Sequence, residues 1–425
     1  MAHILRLFIA AAVTAGTTIT AGAAAAPCSS RPAIGFACRD GDLLRIRLAD
    51  GVTILTHGGD PVPGSAEVGS FTDPVQPACV GDRARELHGL VIYVHASDTT
   101  NREATMRGTV ADLVARANGM LRAEAATFGR TLDYRMACEG DGSLLVDAVT
   151  LATPLSATTF TTVVNDLRAA GYVDSLAKYW IFFDGRPPNA PGGTGTFQVN
   201  DRLEGSNTNN WGPSYGVTWG YTGAGGAKVM MHENGHNLGA VQNTAPNTSG
   251  AGHCNDGRDV MCYADGGPAS RYDGTVCSVQ RFDCNGDDYF HPAPAAGSYP
   301  AEHWNLGAPF NRAVQGCSFA SGLLIAGDPV TSTATVPVPD ACAGRWYAGM
   351  AFLPTPPVST DPGMVTWHNT SGALPDVDVC WYASASPIRC DRVGKDASGT
   401  VPAGATQAII ALRAGVAATF VLSSV

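Results

Sequence analysis

The pattern His232-Glu233-x-x-His236 constrains the fold of this chain more than any other stretch of its sequence. Residues four apart lie on the same face of an α-helix, so the two imidazoles can bind one metal ion. Glu233 points beside them, where it can take a proton from a water at the metal. Zinc lowers the pKa of such a water from about 16 to about 7. The pattern therefore predicts a helix that carries a zinc site and a general base, with two ordinary core histidines as the alternative.

Three residues that follow this pattern support its interpretation as a metal site. Gly239 follows His236 by three residues, where a helix must end and a positive φ suits glycine, and Met261 and Tyr263 follow downstream. Over residues 229–263 the chain resembles the metzincin clan of zinc endopeptidases (reprolysins, astacins and matrix metalloproteases), whose motif is His-Glu-x-x-His-x-x-Gly-x-x-His followed by a methionine turn. The resemblance implies that Met261 packs beneath the metal and that Tyr263 contacts the metal or the oxyanion. Ordinary core packing of both side chains is the alternative.

The third metal ligand is where the sequence departs from the clan's motif. The clan has a histidine where this chain has Gln242, and a neutral amide is a poor zinc ligand. His253 lies eight residues before Met261, a spacing similar to that of matrix-metalloprotease-like members. We therefore predict His253 as the third ligand, with Gln242 as the first alternative. Asp256 and Asp259 are further alternatives on ligand chemistry.

The charge of the chain argues against nucleic-acid and membrane partners. Its 425 residues carry a formal net charge of −10, with only three lysines, and the pI is about 5.4. Such a chain has no overall basic field to attract phosphates or anionic lipids. We expect a monomer that acts on protein or peptide substrates.

The N-terminus and the cysteines predict a secreted protein. Residues 1–26 run from a short positive start through an apolar stretch to small residues, the order of a signal peptide rather than of a buried helix. All twelve cysteines follow this segment, and in an oxidising compartment they predict up to six disulfides. We expect Cys28 to pair with Cys38 and Cys79 with Cys138.

Hydrophobic patterning divides the remaining chain into three parts. Residues 27–77 contain a β-hairpin followed by a Pro/Gly-rich linker, and form either a propeptide or a lead-in. Residues 78–320 alternate strands with amphipathic helices, which predicts an α/β (α+β) layer with a mixed sheet; the metzincin resemblance implies a zincin domain with an active-site helix. Residues 321–425 contain short β-like runs between turns, which predicts an all-β, sandwich-like C-terminal domain.

A second cation site is suggested by Asp283, Asn285 and Asp287, which have the spacing of a calcium-binding loop. Alternate oxygen ligands on a tight turn can surround a hard cation such as Ca²⁺. The glutamate of a complete EF-hand is missing at the twelfth position, so a solvated acidic turn is the alternative.

Together these features predict a secreted zinc endopeptidase. Zinc held by His232, His236 and His253 would polarise the scissile carbonyl and activate water, while Glu233 moves the proton from water to the leaving amine. Tyr263 would help to hold the oxyanion.

The substrate and two rival functions follow from the same residues. We expect the substrate to lie extended along an edge strand before the metal-binding helix, and residues 216–226, rich in glycine, are where we place that edge. Gln242 keeps open a catalytically degenerate metzincin-like protein with a binding or adhesion role. A zinc amidase that acts on cell-wall material would share the same site.

Overall fold

The structure is a computed structural model. It describes residues 27–28, 33–34, 36–40, 43–61, 71, 73–80, 83–84, 86–203, 207–265, 275–308, 311–315, 320–324, 326–327, 331–336, 347–352, 365–369, 377–383, 386–393, 397–412 and 418–424. The predicted signal peptide and much of the predicted linker lie outside the described residues.

The leading part forms a small antiparallel sheet of three strands in the order β1-β2-β3. The predicted hairpin is confirmed, with Gly51 at φ 83° in its turn, a conformation that glycine adopts without strain. The strands are β1 (Ala37–Asp40), β2 (Leu43–Arg47) and β3 (Thr53–Thr56).

The second sheet is mixed and has eight strands, as the alternation of elements predicts. Its order is β11-β6-β5-β8-β10-β9, with β4 beside β6 and β7 beside β5. Most neighbours are parallel, whereas β9 and β11 pair antiparallel to β10 and β6. The strands are β4 (Ala78–Cys79), β5 (His88–His95), β6 (Asp133–Met136), β7 (Val146–Thr150), β8 (Ala177–Phe183), β9 (Gly193–Gly195), β10 (Ser214–Trp219) and β11 (Val314–Gln315).

Helices cover both faces of this sheet. They are α1 (Glu103–Thr127), α2 (Phe160–Ala169), α3 (Gly223–Asn237) and α4 (Tyr299–Glu302). Apolar residues of α1 and α3 share one core cluster with inward-facing side chains of the sheet. On the other face α2 packs with Ile46 and Leu48 of the leading part. The leading part is therefore built into the core of the α/β layer.

The start of α2 and the end of α3 follow from local sequence. Thr159 caps α2 in a capping box with Thr162, which satisfies donors that a helix N-terminus leaves free. Helix α3 ends at Asn237, and Gly239 takes φ 96° directly afterwards, as predicted. This turn sends the chain back toward the metal-binding face of α3.

The C-terminal part forms two five-stranded sheets, ordered β12-β15-β20-β17-β18 and β13-β14-β21-β16-β19. Their pairing is largely antiparallel, which agrees with the predicted all-β character; face-to-face packing of the sheets stays a prediction. The strands are β12 (Ala320–Leu324), β13 (Ala326–Gly327), β14 (Thr331–Val336), β15 (Tyr347–Phe352), β16 (Val365–Asn369), β17 (Val377–Ala383), β18 (Ser386–Val393), β19 (Ser398–Thr400), β20 (Gln407–Leu412) and β21 (Ala418–Ser424).

Disulfides link several of the loops. The predicted pairs Cys28–Cys38 and Cys79–Cys138 are confirmed, and the structure adds Cys254–Cys262 and Cys277–Cys284. Within the described ranges, no helix combines the length and apolar character needed to cross a membrane.

Candidate metal centre

His232 and His236 lie one turn apart on α3 and face each other, as the spacing predicts. Their Nε2 atoms are 3.1 Å apart. Nδ1 of His232 donates to the carbonyl oxygen of Val260 (2.7 Å), and Nδ1 of His236 donates to that of Ala240 (2.9 Å). A carbonyl oxygen only accepts, so each Nδ1 carries its proton and the two Nε2 atoms face each other.

His253 completes a group of three imidazoles. Its ring lies 5.3 Å from that of His232 and 5.0 Å from that of His236, measured between centroids. Its Nδ1 contacts the carboxylate of Asp265 at 3.0 Å, which leaves Nε2 directed into the group. Burial alone would lower the pKa of His253, but hydrogen bonds with Asp265 and Asp60 bring this pKa to about 8.

The side chain of Gln242 is engaged elsewhere. Its amide nitrogen donates to the carbonyl oxygens of Gln198 (3.0 Å) and Gly239 (2.8 Å), and its oxygen accepts from the backbone N–H of Asn200 (2.9 Å). These bonds hold the turn after α3 against the preceding loop. The structure therefore brings His253, and not Gln242, to the two helix histidines.

Asp256 and Asp259, the remaining candidate ligands, also lie outside the histidine group. Both oxygens of Asp259 are occupied: Oδ1 accepts from the backbone N–H of Met261 (2.7 Å) and Oδ2 from that of Cys284 (2.9 Å). Asp256 groups instead with Asp287 and other carboxylates.

Glu233 lies at the centre of the site and is fully buried. Within the described part of the chain neither of its carboxylate oxygens has a hydrogen-bond partner, and Nε2 of His57 is 3.5 Å from Oε2. Burial, together with the adjacent carboxyl of Asp60, raises the pKa of Glu233 well above its usual range. A buried carboxyl group whose proton is held in this way is suited to general acid and base chemistry.

Met261 and Tyr263 flank the three histidines. Met261 is fully buried against Gly235 of α3, where an added Cβ would come within 2.6 Å of its Sδ. The ring of Tyr263 lies 4.4 Å from that of His253, and its hydroxyl donates to Asp60. Burial and the Asp60 carboxylate raise the pKa of Tyr263, so the hydroxyl keeps its proton.

Two residues of the leading part, His57 and Asp60, enter this site, and sequence reasoning missed both. Oδ2 of Asp60 lies 3.1 Å from Nε2 of His232, and Oδ1 lies 3.1 Å from Nε2 of His253. The ring of His57 stacks on that of His236 at 3.8 Å. Burial would raise the pKa of Asp60, but the surrounding histidines hold it well below its usual range. Asp60 falls within the predicted linker; the only available signal was a histidine and an aspartate spaced by two glycines.

The leading segment also pairs with the edge of the sheet. The N–H of Asp60 donates to the carbonyl of Gly193 (3.1 Å), and its carbonyl accepts from the N–H of Gly192 (2.7 Å). Antiparallel bridges join Thr56 to Thr196 and Asp60 to Gly193. Residues 56–60 thus lie along β9 as an added strand that ends at the histidines.

The edge strand differs from the one the sequence predicted. We expected it within residues 216–226, but β10 pairs with β8 on one side and β9 on the other, and α3 already begins at Gly223. That prediction is wrong. The edge is β9, a strand of three residues that is too short to show an alternating pattern.

Comparison with known proteins does not assign a family. No family model matches the chain, and no curated protein does. Among solved structures, it is similar to wild-type OgpA from Akkermansia muciniphila in two crystal forms, at TM-scores of 0.27 and 0.26 and 13% identity, over 83% and 85% of this chain and 96% and 95% of those chains. It is also similar to catalytically inactive OgpA in complex with an O-glycopeptide (glycodrosocin) substrate, at a TM-score of 0.30 and 13% identity, over 83% of this chain and 96% of that one.

Proposed function

We propose that the chain is a secreted zinc-dependent endopeptidase of metzincin type, with His232, His236 and His253 as zinc ligands and Glu233 as general base. The observation that carries this proposal is the convergence of three imidazoles. The Nε2 atoms of His232 and His236 are 3.1 Å apart, the ring of His253 lies 5.3 and 5.0 Å from their rings, and each Nδ1 is engaged by a carbonyl or carboxylate oxygen. Metal-binding histidines are held in this way, since the outer hydrogen bond fixes the tautomer and the ring orientation.

The donor set fits zinc. Nε2 of His232 lies 3.1 Å from Nε2 of His236 and 3.1 Å from Oδ2 of Asp60, so these three atoms require a proton or a cation among them. A proton is disfavoured at His236, because burial and the neighbouring histidines lower its pKa well below the usual range. Two nitrogens that each bind zinc at about 2.1 Å can be 3.1 Å apart, so a shared zinc ion accounts for the arrangement.

The residues around this position are suited to peptide hydrolysis. Bound zinc would supply a Lewis acid and lower the pKa of water. Glu233 takes the proton from the attacking water and delivers it to the leaving amine. The hydroxyl of Tyr263 remains protonated and can donate to the developing oxyanion. The edge strand β9 can hold an extended substrate through its backbone.

We also propose that residues 27–77 act as a propeptide. The carboxylate of Asp60 lies between His232 and His253, where water and the scissile carbonyl would have to enter. The backbone of residues 56–60 occupies β9, where the substrate would pair. One segment therefore blocks both requirements of catalysis, and activity requires its removal.

The test is hydrolysis of a quenched-fluorescent peptide library. A site for a sequence-specific protease is inserted between Gly64 and Ser65, and the zinc-loaded chain is assayed before and after cutting. We expect peptide cleavage only after cutting, abolished by a chelator and restored by zinc. Glu233→Gln should reduce the rate at least about 100-fold with zinc retained, whereas Glu302→Gln, on the exposed surface of α4, should not change it.

The outcomes of this assay distinguish the endopeptidase from its two rivals. A cut, zinc-loaded chain from which the leading segment has dissociated, but which cleaves no peptide, would contradict the endopeptidase proposal. Release of products from cell-wall peptides under the same conditions would then favour the amidase, and the absence of both activities the degenerate binding protein. The buried, hydrogen-bond-free carboxyl of Glu233 weighs against that last alternative, since a purely structural zinc site needs no general base.

A further inference from the structure

Behind the histidine group, three carboxylates from two loops converge on a second position. Asp256 lies on the loop that carries His253 and Met261, and Asp287 and Asp288 lie on the following turn. One oxygen from each of the three lies within 4.8 Å of the others. Asp283, which the sequence pattern assigned to a calcium loop, uses its Oδ2 to accept from the backbone N–H of the residues at 289 and 290 instead.

Several of these oxygens are buried without a partner. Oδ2 of Asp256 and Oδ1 of Asp287 have no hydrogen bond among the described residues, and Asp256 is only 5% exposed. The other oxygen of Asp256 lies 3.3 Å from Sγ of Cys262, but that sulfur is bonded to Cys254 and has no proton to donate. A buried carboxylate oxygen that faces other carboxylates without a donor of its own is costly.

We propose that Asp256, Asp287 and Asp288 bind a calcium ion. Calcium takes oxygen ligands at about 2.3–2.6 Å in irregular geometry, so carboxylates that converge from two loops can share one calcium ion. The three carboxylates supply the charge, and the spare lone pairs of the unpartnered oxygens supply ligands. Magnesium fits less well, since it requires shorter bonds and near-octahedral geometry.

The electrostatics of the cluster agree with a cation at this position. Burial and the adjacent carboxylates of Asp288 and Asp287 raise the pKa of Asp256 to about 8. Burial is also the largest cause of the rise in the pKa of Asp288, to about 6. Without a cation, Asp256 therefore keeps a proton at neutral pH, and a divalent cation at this position would displace that proton.

The position of the ion gives it a structural role. Asp288 accepts from the backbone N–H (2.9 Å) and side chain (3.2 Å) of Asn247, so the ion would tie three loop segments together. One of these segments carries His253, three residues before Asp256. Calcium should therefore stabilise the segment that supplies the third histidine, without itself entering the histidine group. This inference does not depend on the proposed peptidase activity.

The test is calcium titration of the full chain. The chain is first freed of metals on a chelating resin and then saturated with zinc, and calcium binding is followed by calorimetry and by thermal unfolding. We expect one calcium ion per chain and a rise in Tm of about 3–6 °C at saturation. Asp287→Asn, at a half-buried position that tolerates an amide, should weaken calcium binding at least 10-fold and reduce the Tm shift. Asp112→Asn, on α1 beside Arg116, should change neither.

Asp256→Asn is the second variant. It distinguishes two explanations of the carboxylate cluster, a bound cation and a proton shared between carboxyl groups. The substitution puts a neutral amide where the wild type has a carboxyl group whose charged form is disfavoured, so the calcium-free variant should unfold at the same temperature as the wild type or higher, and calcium should no longer raise its Tm. No calcium binding by the wild type would overturn the inference. So would calcium binding of unchanged strength in Asp287→Asn, or a response to magnesium equal to the response to calcium.

Discussion

At the scale of single residues, His253 and Gln242 differ in the role that their hydrogen bonds leave open to them. Both are buried near the end of α3. The amide has both a donor and an acceptor to satisfy, and the backbone at Gly239, Gln198 and Asn200 satisfies them. The imidazole needs only one partner for Nδ1, supplied by Asp265, so its Nε2 is available to a metal.

Replacing these two residues should have opposite effects on zinc and on folding. His253→Ala should weaken zinc binding more than about 100-fold, because losing a ligand exceeds the 10–100-fold cost of losing an outer hydrogen bond. Gln242→Ala should leave zinc affinity unchanged but lower the free energy of unfolding by about 1–3 kcal/mol, because it strands buried backbone groups. Zinc content by mass spectrometry and urea unfolding measure the two effects. Loss of zinc in Gln242→Ala with the fold intact would contradict the assignment.

The sequence predicted the site residues that lie close together along the chain, but not those that come from a distant segment. His232, Glu233 and His236 lie within one helix, whose geometry fixes their relation from spacing alone. His253 followed from ligand preference, because an imidazole is a better donor than the amide at the expected position. His57 and Asp60 reach the site through strand pairing across more than 130 residues of sequence, and no local pattern encodes such a contact.

At the scale of elements, the close approach of β9 to α3 positions the carboxyl group of Glu233. A Cβ added to Gly193 would lie 2.0 Å from Oε1 and 2.5 Å from Cδ of Glu233, so only glycine leaves room for the carboxyl group. The strand is therefore matched to the helix at the residue that we propose as the general base. Long periodic elements such as α1 and β8 were predictable, whereas this three-residue strand had no period to detect.

Gly193→Ala should impair catalysis more than binding of the metal. The methyl group forces Glu233 or β9 to shift by about 1 Å, and a misplacement of this size costs up to about 100-fold in rate. We expect kcat of the cut enzyme to fall about 10–100-fold with one zinc ion retained, measured by peptide hydrolysis and metal analysis.

Gly108→Ala provides the matched control for this substitution. Gly108 is exposed in the middle of α1, and an added Cβ would meet nothing within 4 Å. The control should raise the free energy of unfolding by about 1 kcal/mol, since alanine is the better helix former, and leave kcat unchanged. An equal loss of kcat in both variants would show that the effect of Gly193→Ala is unspecific.

At the scale of the whole molecule, the leading part contributes to the core, and we propose that it also blocks the site. Ile46 and Leu48 pack into the core beneath α2, while the side chain of Asp60 reaches His232 on α3. Hydrophobic patterning predicted the hairpin but could not choose between a lead-in and a propeptide. That choice depends on where the segment after the hairpin runs, which only the tertiary structure defines.

Asp60→Ala should partly activate the uncut chain. Without the carboxylate, the position between His232 and His253 opens to water, but residues 56–59 still cover β9, so peptide substrates gain only limited access. We expect the uncut variant to hydrolyse peptides at least 10-fold faster than the uncut wild type and more slowly than the cut enzyme. Asp50→Ala is the control, because Asp50 lies in the exposed turn of the same hairpin and pairs with Arg168. If both variants stay as inactive as the wild type while cutting activates them equally, backbone coverage of β9 alone accounts for the block and the carboxylate of Asp60 has no part in it.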